Sequence, residues 1–184
     1  NFGNSWAFGT TVDTSAYDFD STAMHELLHT FGFLSYADQA GTNTGRSWTT
    51  FDQYLVTADG TRVITDSYRW NTAYNSALTG GLYFGGPNAV AAYGGVVPLY
   101  TPEPWESGSS VSHLDDDTFT GANSMLMNAA TETGLGVRVL SPVELAILKD
   151  LGYTLTDSVP VQALFLLGFG FLRRRSGRDQ RPVS

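Results

Sequence analysis

The sequence predicts a loop-rich α+β domain, and three observations carry this prediction. Hydrophobic residues make up 42% of the 184 residues and charged residues 15%, which is a globular balance in a chain long enough for a core. The 20 glycines and the aromatic content of 13% favour a mixed fold over a helix bundle. Two segments nevertheless carry clear helix signals, so helices are expected among shorter extended segments.

The distribution of charge argues against a nucleic-acid partner. The net charge is −8, but residues 1–160 carry 17 acidic and 5 basic side chains, because five arginines lie in the last twelve positions. An acidic body of this kind repels phosphate backbones. The sequence has no cysteine, which excludes disulfides and thiolate metal ligands. It begins with Asn1 and shows no signal peptide, so we expect an N-terminal portion to be missing.

A helix is predicted over about residues 21–31, after an extended segment at residues 1–19. Its apolar positions recur at three- and four-residue spacing: Met24, Leu27, Leu28 and Phe31. Three polar residues are candidate N-caps: Asp20, Ser21 and Thr22. Gly32 is a natural terminator in the left-handed conformation.

This helix contains the pattern His-Glu-x-x-His, as "HELLH" at residues 25–29. His25 and His29 lie four residues apart, so their rings project from one face and suit two imidazole nitrogens bound to Zn²⁺ at about 2.0–2.1 Å. Glu26 lies at the flank of that face, where it can act as general base on a water whose pKa zinc lowers to about 7. The pattern predicts a zinc-hydrolase site.

A catalytic zinc also needs a third protein ligand. The position three residues after Gly32 is Ser35, a poor zinc ligand, and His113 is the one other histidine in the sequence, so His113 is the leading candidate. Because two histidines and a carboxylate also make a sound site, four acids remain alternatives: Asp38, Asp115, Asp116 and Asp117. The run at 115–117 is also considered for Ca²⁺, and Tyr36 and Tyr100 for polarising a substrate carbonyl.

The sequence "SPVELAILKDLGY" predicts a C-terminal helix over about residues 142–151. Ser141 is the expected N-cap, Pro142 the first helical residue and Glu144 the partner in a capping box. Between the two helices we expect a hairpin in residues 51–65, with Asp59-Gly60 as its turn, and a short helix around 70–78. Residues 81–112 are rich in Gly, Pro and Ser and predict long irregular structure.

Three strings in this order resemble the leishmanolysin-like branch of the metzincin metalloproteases: "HELLHTFGF", then "GSSVSHLDDDTFTGANSMLMNAA", then "LSPVELAILKDLGY". In that branch the third histidine comes late, and a methionine-containing turn follows it and lies beneath the zinc. The resemblance implies a zincin-like catalytic domain whose Met-turn region spans about residues 113–130. It assigns zinc ligands to His25, His29 and His113, the general base to Glu26, a chain turn to Gly32, and the Met-turn to Met127 with Met125 as the alternative.

The resemblance covers about residues 18–34 and 82–153 and departs from the family in two respects. The animal and protozoan members are disulfide-rich, so a chain without cysteine is similar to the bacterial members. Most of the sheet that precedes the active-site helix, and forms one wall of the substrate cleft, is absent. We therefore divide the chain into a partial catalytic domain at residues 1–157 and a C-terminal tail at residues 158–184.

The tail contains an apolar run at residues 161–172 followed by three arginines at 173–175. Twelve residues are short for a bilayer span of about 20, and arginines beyond the run fit a basic cytoplasmic end. The order resembles the PEP-CTERM sorting signal of Gram-negative bacteria, although "VPVQ" stands where that family has Val-Pro-Glu-Pro. The resemblance implies an exported protein, held transiently in the membrane until a sorting enzyme releases it to the cell envelope or the exterior.

Two functions from different classes follow from these observations. The first is a zinc-dependent endopeptidase that acts on a protein or peptide substrate. The second is a non-catalytic surface or biofilm-matrix protein, in which zinc staples a loop to a helix. The presence of Glu26 favours the endopeptidase, because a structural zinc site has no need of that residue.

Overall fold

The protein has a mixed α+β fold in the residues that the structure, a computed structural model, describes: 3–43 and 47–155. The chain divides after Tyr153 into two units, and every element below belongs to the first. The α-helices are α1 (Phe19–Thr30), α2 (Pro87–Tyr93) and α3 (Pro142–Asp150). The strands have two residues each: β1 (Trp6–Ala7), β2 (Tyr17–Asp18), β3 (Leu55–Val56), β4 (Tyr83–Phe84) and β5 (Val97–Pro98). Short 3₁₀ helices occupy Asp52–Tyr54, Thr72–Leu78 and Gly121–Asn123.

The strands form two small sheets, one of which reaches the late part of the chain. β1 and β2 are parallel, whereas β3, β4 and β5 form an antiparallel sheet in that order. Beyond β5 the pairing continues through single bridges, from Leu99 to Leu114 and from Leu114 to Asn128. Leu114 is fully buried between these two neighbours. The segment that carries His113 therefore lies between the chain that follows β5 and the turn before Asn128.

A row of phenylalanines connects the end of α1 to this sheet. Phe33, Phe51 and Phe84 are each fully buried. Their ring centroids lie 5.1 Å apart for the first pair and 4.8 Å for the second. Aromatic pairs at these separations combine a large buried apolar area with favourable ring geometry. This contact places the C-terminal end of α1 against the sheet that holds the His113 segment.

The predicted first helix is present, but it begins two residues earlier than expected. Its N-cap is Asp18 rather than Asp20, Ser21 or Thr22, and the Asp18 carboxylate accepts the N–H groups of Asp20 and Ser21. Arg138 also pairs with Asp18 at 2.7 Å. Burial raises the pKa of Asp18, but the hydrogen bonds from Arg138 and the backbone outweigh this effect and hold that pKa below its usual value. The residue at which the helix starts is thus also bound to a partner 120 residues away.

The C-terminal helix is confirmed, including its capping box. The Ser141 hydroxyl accepts the Glu144 N–H at 3.2 Å, and the Glu144 carboxylate accepts the Ser141 N–H at 2.7 Å. Pro142 is its first residue and Gly152 follows at φ +102°. Local chemistry alone specifies this element, so the pattern was enough to locate it correctly.

The middle of the chain corrects three expectations. Residues 81–112 are not irregular throughout, because they contain β4, α2 and β5. Residues 52–54 form a 3₁₀ helix rather than the start of a hairpin strand, although Val56 and Arg62 do bridge across a tight turn at Asp59-Gly60. The helix expected around 70–78 is a 3₁₀ helix over Thr72–Leu78, with non-helical backbone at Tyr74. The missed helix α2 did have a signal, since Pro87 opens it and Gly94 closes it in the left-handed conformation.

The predicted tail at residues 158–184 lies outside the described residues, so its role stays a prediction. Among residues 3–43 and 47–155, none of the helices has the length and apolar character that crossing a bilayer requires.

Packing of α2 against α3 leads to a testable effect at Gly86. Asp150 of α3 accepts the backbone N–H groups of Asn88 and Ala89, which lie in the first turn of α2 and have no acceptor within that helix. A Cβ added at Gly86 would meet the Asp150 carboxylate and the Phe84 ring. We expect Gly86→Ala to lower the free energy of unfolding by about 1–3 kcal/mol in urea titrations. Gly95→Ala is the matched control, because a Cβ there meets nothing within 4 Å, and a loss of equal size in both variants would refute a steric cause.

Candidate metal centre

Three histidine rings converge on one point: those of His25 and His29 from α1, and that of His113 from the loop before Leu114. The Nε2 atoms of His25 and His29 lie 3.1 Å apart, those of His25 and His113 3.1 Å, and those of His29 and His113 3.2 Å. Nitrogens bound tetrahedrally to zinc at 2.0–2.1 Å are separated by about 3.3–3.4 Å, so this triangle is close to the size that a zinc ion requires. These residues could hold a metal ion.

The opposite nitrogen of each ring is bound to a backbone carbonyl. His25 Nδ1 donates to Leu126 O at 2.8 Å, His29 Nδ1 to Phe33 O at 2.7 Å, and His113 Nδ1 to Ser109 O at 2.8 Å. Because a carbonyl can only accept, each Nδ1 carries the hydrogen, and in a neutral ring Nε2 then presents a lone pair. Backbone carbonyls commonly orient metal-ligating histidines in this way.

Burial favours the neutral form of two of the three rings. His25 and His113 are 8% and 6% exposed, and His29 is partly buried. Burial lowers the pKa of His25 and lowers the pKa of His113 to about 4. Neutral rings with Nδ1–H groups would bring three lone pairs together at about 3 Å, which is an unfavourable arrangement unless a cation lies among them.

The end of α1 shows why Gly32 follows the histidine pair. Gly32 has φ +94°, a left-handed conformation that residues with a Cβ rarely adopt. The reversal lets the Phe33 N–H bond to Leu28 O while Phe33 O turns back to accept from His29. The terminator predicted from the sequence therefore also orients one of the three rings.

The predicted Met-turn region contains a tight turn whose central residues are Leu126 and Met127. The Asn128 N–H bonds to Met125 O at 3.3 Å, and Leu126 O accepts from His25. Met127 is fully buried, and its N–H donates to Glu144 at 2.8 Å, whereas Met125 is only partly buried. Burial raises the pKa of Glu144, and the hydrogen bonds it accepts oppose that rise. The turn thus connects α3 to the His25 ring, while a place for Met127 beneath a zinc ion stays a prediction.

The loop before His113 holds an unusual backbone conformation. Val111 has φ +67°, which is rare for a β-branched residue and costs on the order of 1–3 kcal/mol. Its side chain is fully buried and its N–H donates to Tyr100 O at 2.7 Å. Strained residues of this kind persist only where their surroundings fix them. The position of His113 is therefore determined by tertiary contacts.

The sequence also predicts roles at the site for Glu26, Tyr36 and Tyr100. The Glu26 side chain is exposed and forms no hydrogen bond or ion pair with any other described residue, so its carboxylate is available to solvent next to His25. Tyr36 is 37% exposed. Burial, followed by the hydrogen bond to Glu106, raises the pKa of the Tyr100 hydroxyl.

Three of the four alternative carboxylate ligands serve other contacts, and the fourth, Asp117, is exposed. Asp38 accepts from Thr42, Asp115 from Thr118, and Asp116 from the N–H groups of Ala129 and Ala130. Within residues 3–43 and 47–155, the three histidines are the one group of three or more ligand-type residues that converges. The acids at 115–117 accordingly do not form a convergent Ca²⁺ site.

A cavity of about 460 Å³ opens next to His25, on the side of the Met-turn region. Helix α1 contributes Ser21 and Thr22 to its lining, and Asp116 and Glu132 bring carboxylates. The remaining lining residues are Asp18 and residues 119–121, 124–126, 128, 130–131, 133 and 135–137. This volume lies within the range of small-ligand sites, so the cavity can receive an amino-acid side chain.

Comparison with protein-family models, curated proteins and solved structures finds no match for this chain. The geometry of the site therefore carries the functional argument. The sequence predicts the three histidines but not their carbonyl acceptors, Phe33, Ser109 and Leu126. No side-chain pattern could have identified these, because a backbone carbonyl is present at every position.

Proposed function

We propose that this protein is a zinc-dependent endopeptidase whose metal is held by His25, His29 and His113. The observation that carries the proposal is the convergence of three Nε2 atoms within 3.1–3.2 Å while each Nδ1 is bound to a carbonyl. Three protein ligands leave a fourth position open, as in catalytic rather than structural zinc sites.

The residues around the centre would divide the chemistry between them. When bound, zinc supplies a Lewis acid that polarises a carbonyl and lowers the pKa of water to about 7. Glu26 would accept the proton that the attacking water loses and then donate it to the leaving amine. The cavity beside His25 would hold one side chain of the peptide and so fix the scissile bond near the histidines.

The family and setting belong to the same proposal. The sequence resembles leishmanolysin-like metzincins, and the proposed ligands occupy the positions that this resemblance assigns. Export, transient anchoring through residues 158–184 and release by a sorting enzyme follow from the PEP-CTERM resemblance. Under this proposal the substrate is a protein or peptide of the cell envelope or the exterior.

A non-catalytic role is the second candidate, and one observation favours it. The histidines join α1 to a loop more than 80 residues later, and two of them are almost fully buried, as in a metal staple. A staple would stabilise the fold and need no carboxylate at position 26.

Removal of metal separates the two functions. Metal analysis of the purified chain is expected to find about one zinc per chain. A chelator should abolish cleavage of a mixed peptide library, and added zinc should restore it. Zinc without any cleavage, in this chain and in a longer chain that includes the preceding sheet, would favour the staple. A chain that never binds zinc would end both proposals.

A further inference from the structure

We infer that Asp52 is a positioning residue for the metal centre, because it fastens the chain after α1 to the loop that carries His113. This inference rests on the proposed metal site at His25, His29 and His113. Asp52 lies more than 20 residues from any of the three histidines in sequence, yet it is fully buried.

The Asp52 carboxylate collects hydrogen bonds from two separate segments. Its Oδ1 accepts the Ser35 hydroxyl at 2.6 Å, and both oxygens lie within 3.2–3.3 Å of the Tyr36 N–H. Its Oδ2 accepts the Thr49 N–H at 2.8 Å. Thr49 in turn donates from its hydroxyl to Leu34 O at 2.9 Å. Asp52 therefore fixes the backbone immediately after Phe33, whose carbonyl orients His29.

Ser35 extends this network to the His113 loop. The Ser35 N–H donates to the Ser112 hydroxyl at 3.2 Å, and that hydroxyl lies 3.5 Å from Ser35 O. Both serines are buried, with exposures of 8% and 3%. Ser112 directly precedes His113 and directly follows Val111, the residue with the strained backbone. The network is thus one of the tertiary contacts that hold the strained loop in place.

The chemistry of the network requires a carboxylate at position 52. Every group that faces the Asp52 carboxylate is a donor, either a hydroxyl or a backbone N–H, so both carboxylate oxygens must accept. Asparagine has nearly the same shape but replaces one acceptor with an NH₂ donor, which would face one of these donors. A buried donor left without a partner costs free energy, and a shift of the surrounding backbone would relieve that cost. Here the backbone adjoins Phe33, whose carbonyl orients His29, and reaches Ser112, which precedes His113.

The test compares Asp52→Asn with Asp150→Asn in the full 184-residue chain. Both replace a buried carboxylate that accepts backbone N–H groups, but the Asp150 contacts lie in α2. We measure Zn²⁺ affinity, the visible absorption of the Co²⁺-loaded protein and the midpoint of thermal unfolding without metal. Asp52→Asn is expected to weaken Zn²⁺ binding roughly 10- to 100-fold and to change the Co²⁺ spectrum. Asp150→Asn should lower the unfolding midpoint while leaving both metal readouts unchanged.

A milder variant keeps the inference testable if Asp52→Asn does not fold. Ser112→Ala removes only the hydroxyl that receives the Ser35 N–H, and it should weaken Zn²⁺ binding roughly fivefold. Parental metal affinity and parental Co²⁺ spectra in Asp52→Asn, or in Ser112→Ala where Asp52→Asn is unfolded, would overturn the inference while leaving the zinc site intact. A parent chain that binds neither ion would instead overturn the proposed function, and this inference with it.

Discussion

Replacing Glu26 with glutamine is expected to abolish peptide hydrolysis while zinc stays bound. Glutamine keeps the size of the side chain but cannot accept the proton of the attacking water, and a general base contributes about 10²–10⁴ to the rate. The loss should appear in kcat, because substrate contacts in the cavity remain. Zinc should be retained, since the Glu26 side chain is exposed and forms no hydrogen bond with the histidines or any other described residue. Steady-state kinetics and metal analysis of the same preparation measure both quantities.

Asp20→Asn is the matched control for this variant. Asp20 is another acid of α1, its side chain is 48% exposed, and it lies outside the lining of the cavity beside His25. Its removal should leave kcat close to the parental value. Glu26→Gln with undiminished activity would exclude Glu26 as the base, and equal losses in both variants would point to an effect of helix charge rather than proton transfer.

Replacing His113 with alanine is expected to weaken zinc binding by at least about 100-fold and to abolish hydrolysis. Loss of a residue that only orients a metal ligand weakens metal affinity roughly 10- to 100-fold. His113 should matter more, because it supplies one of the three nitrogens that bind the metal in the proposed site. The remaining pair on α1 would hold the ion through one helix only. Competition with a chromophoric zinc chelator measures the affinity directly, without reference to activity.

Two further variants test whether the lost affinity comes from the His113 nitrogen itself. His113→Gln fills most of the buried volume, so it separates loss of a ligand from loss of packing, and it should also bind zinc weakly. Asp116→Asn tests the carboxylate alternative, and we expect a zinc affinity close to the parental value, because Asp116 does not belong to the convergent group. Unlike Asp52, it is only partly buried, so water can satisfy an N–H group that loses its acceptor. If Asp116→Asn loses zinc while His113→Ala keeps it, Asp116 rather than His113 is the third ligand. The resemblance to metzincins whose third histidine comes late would then lose its support.

Together these variants also distinguish a zinc hydrolase from a non-catalytic protein in which zinc only links a loop to a helix, called the staple above. A staple predicts that His113→Ala lowers the free energy of unfolding and that Glu26→Gln changes nothing measurable. A hydrolase predicts a large effect of Glu26→Gln on rate and little on stability. The two functions therefore give opposite results at one residue, independent of any family assignment.

The sequence by itself determined the elements and groups whose signals are local. The capping box at Ser141 and Glu144 located α3, and the left-handed preference of glycine located the end of α1 at Gly32. The four-residue spacing of His25 and His29 placed both rings on one face, because helical geometry depends on nearest neighbours along the chain. Pro87 and Gly94 carried the same kind of information for α2, although the surrounding glycines and prolines obscured it.

Only the tertiary structure decided how distant segments meet. His113 is one of several candidates for the third ligand in the sequence, and the structure brings its Nε2 within 3.1–3.2 Å of those of His25 and His29. The N-cap residue Asp18 pairs with the distant Arg138, and the orientation of the three rings depends on carbonyls that carry no side-chain signature. Buried hydrogen bonds such as those of Asp52 form between residues far apart in the chain, and their partners are set by packing of the whole domain. Periodicity and spacing report on contacts within a few residues, so a network of this kind becomes visible only once the chain is folded.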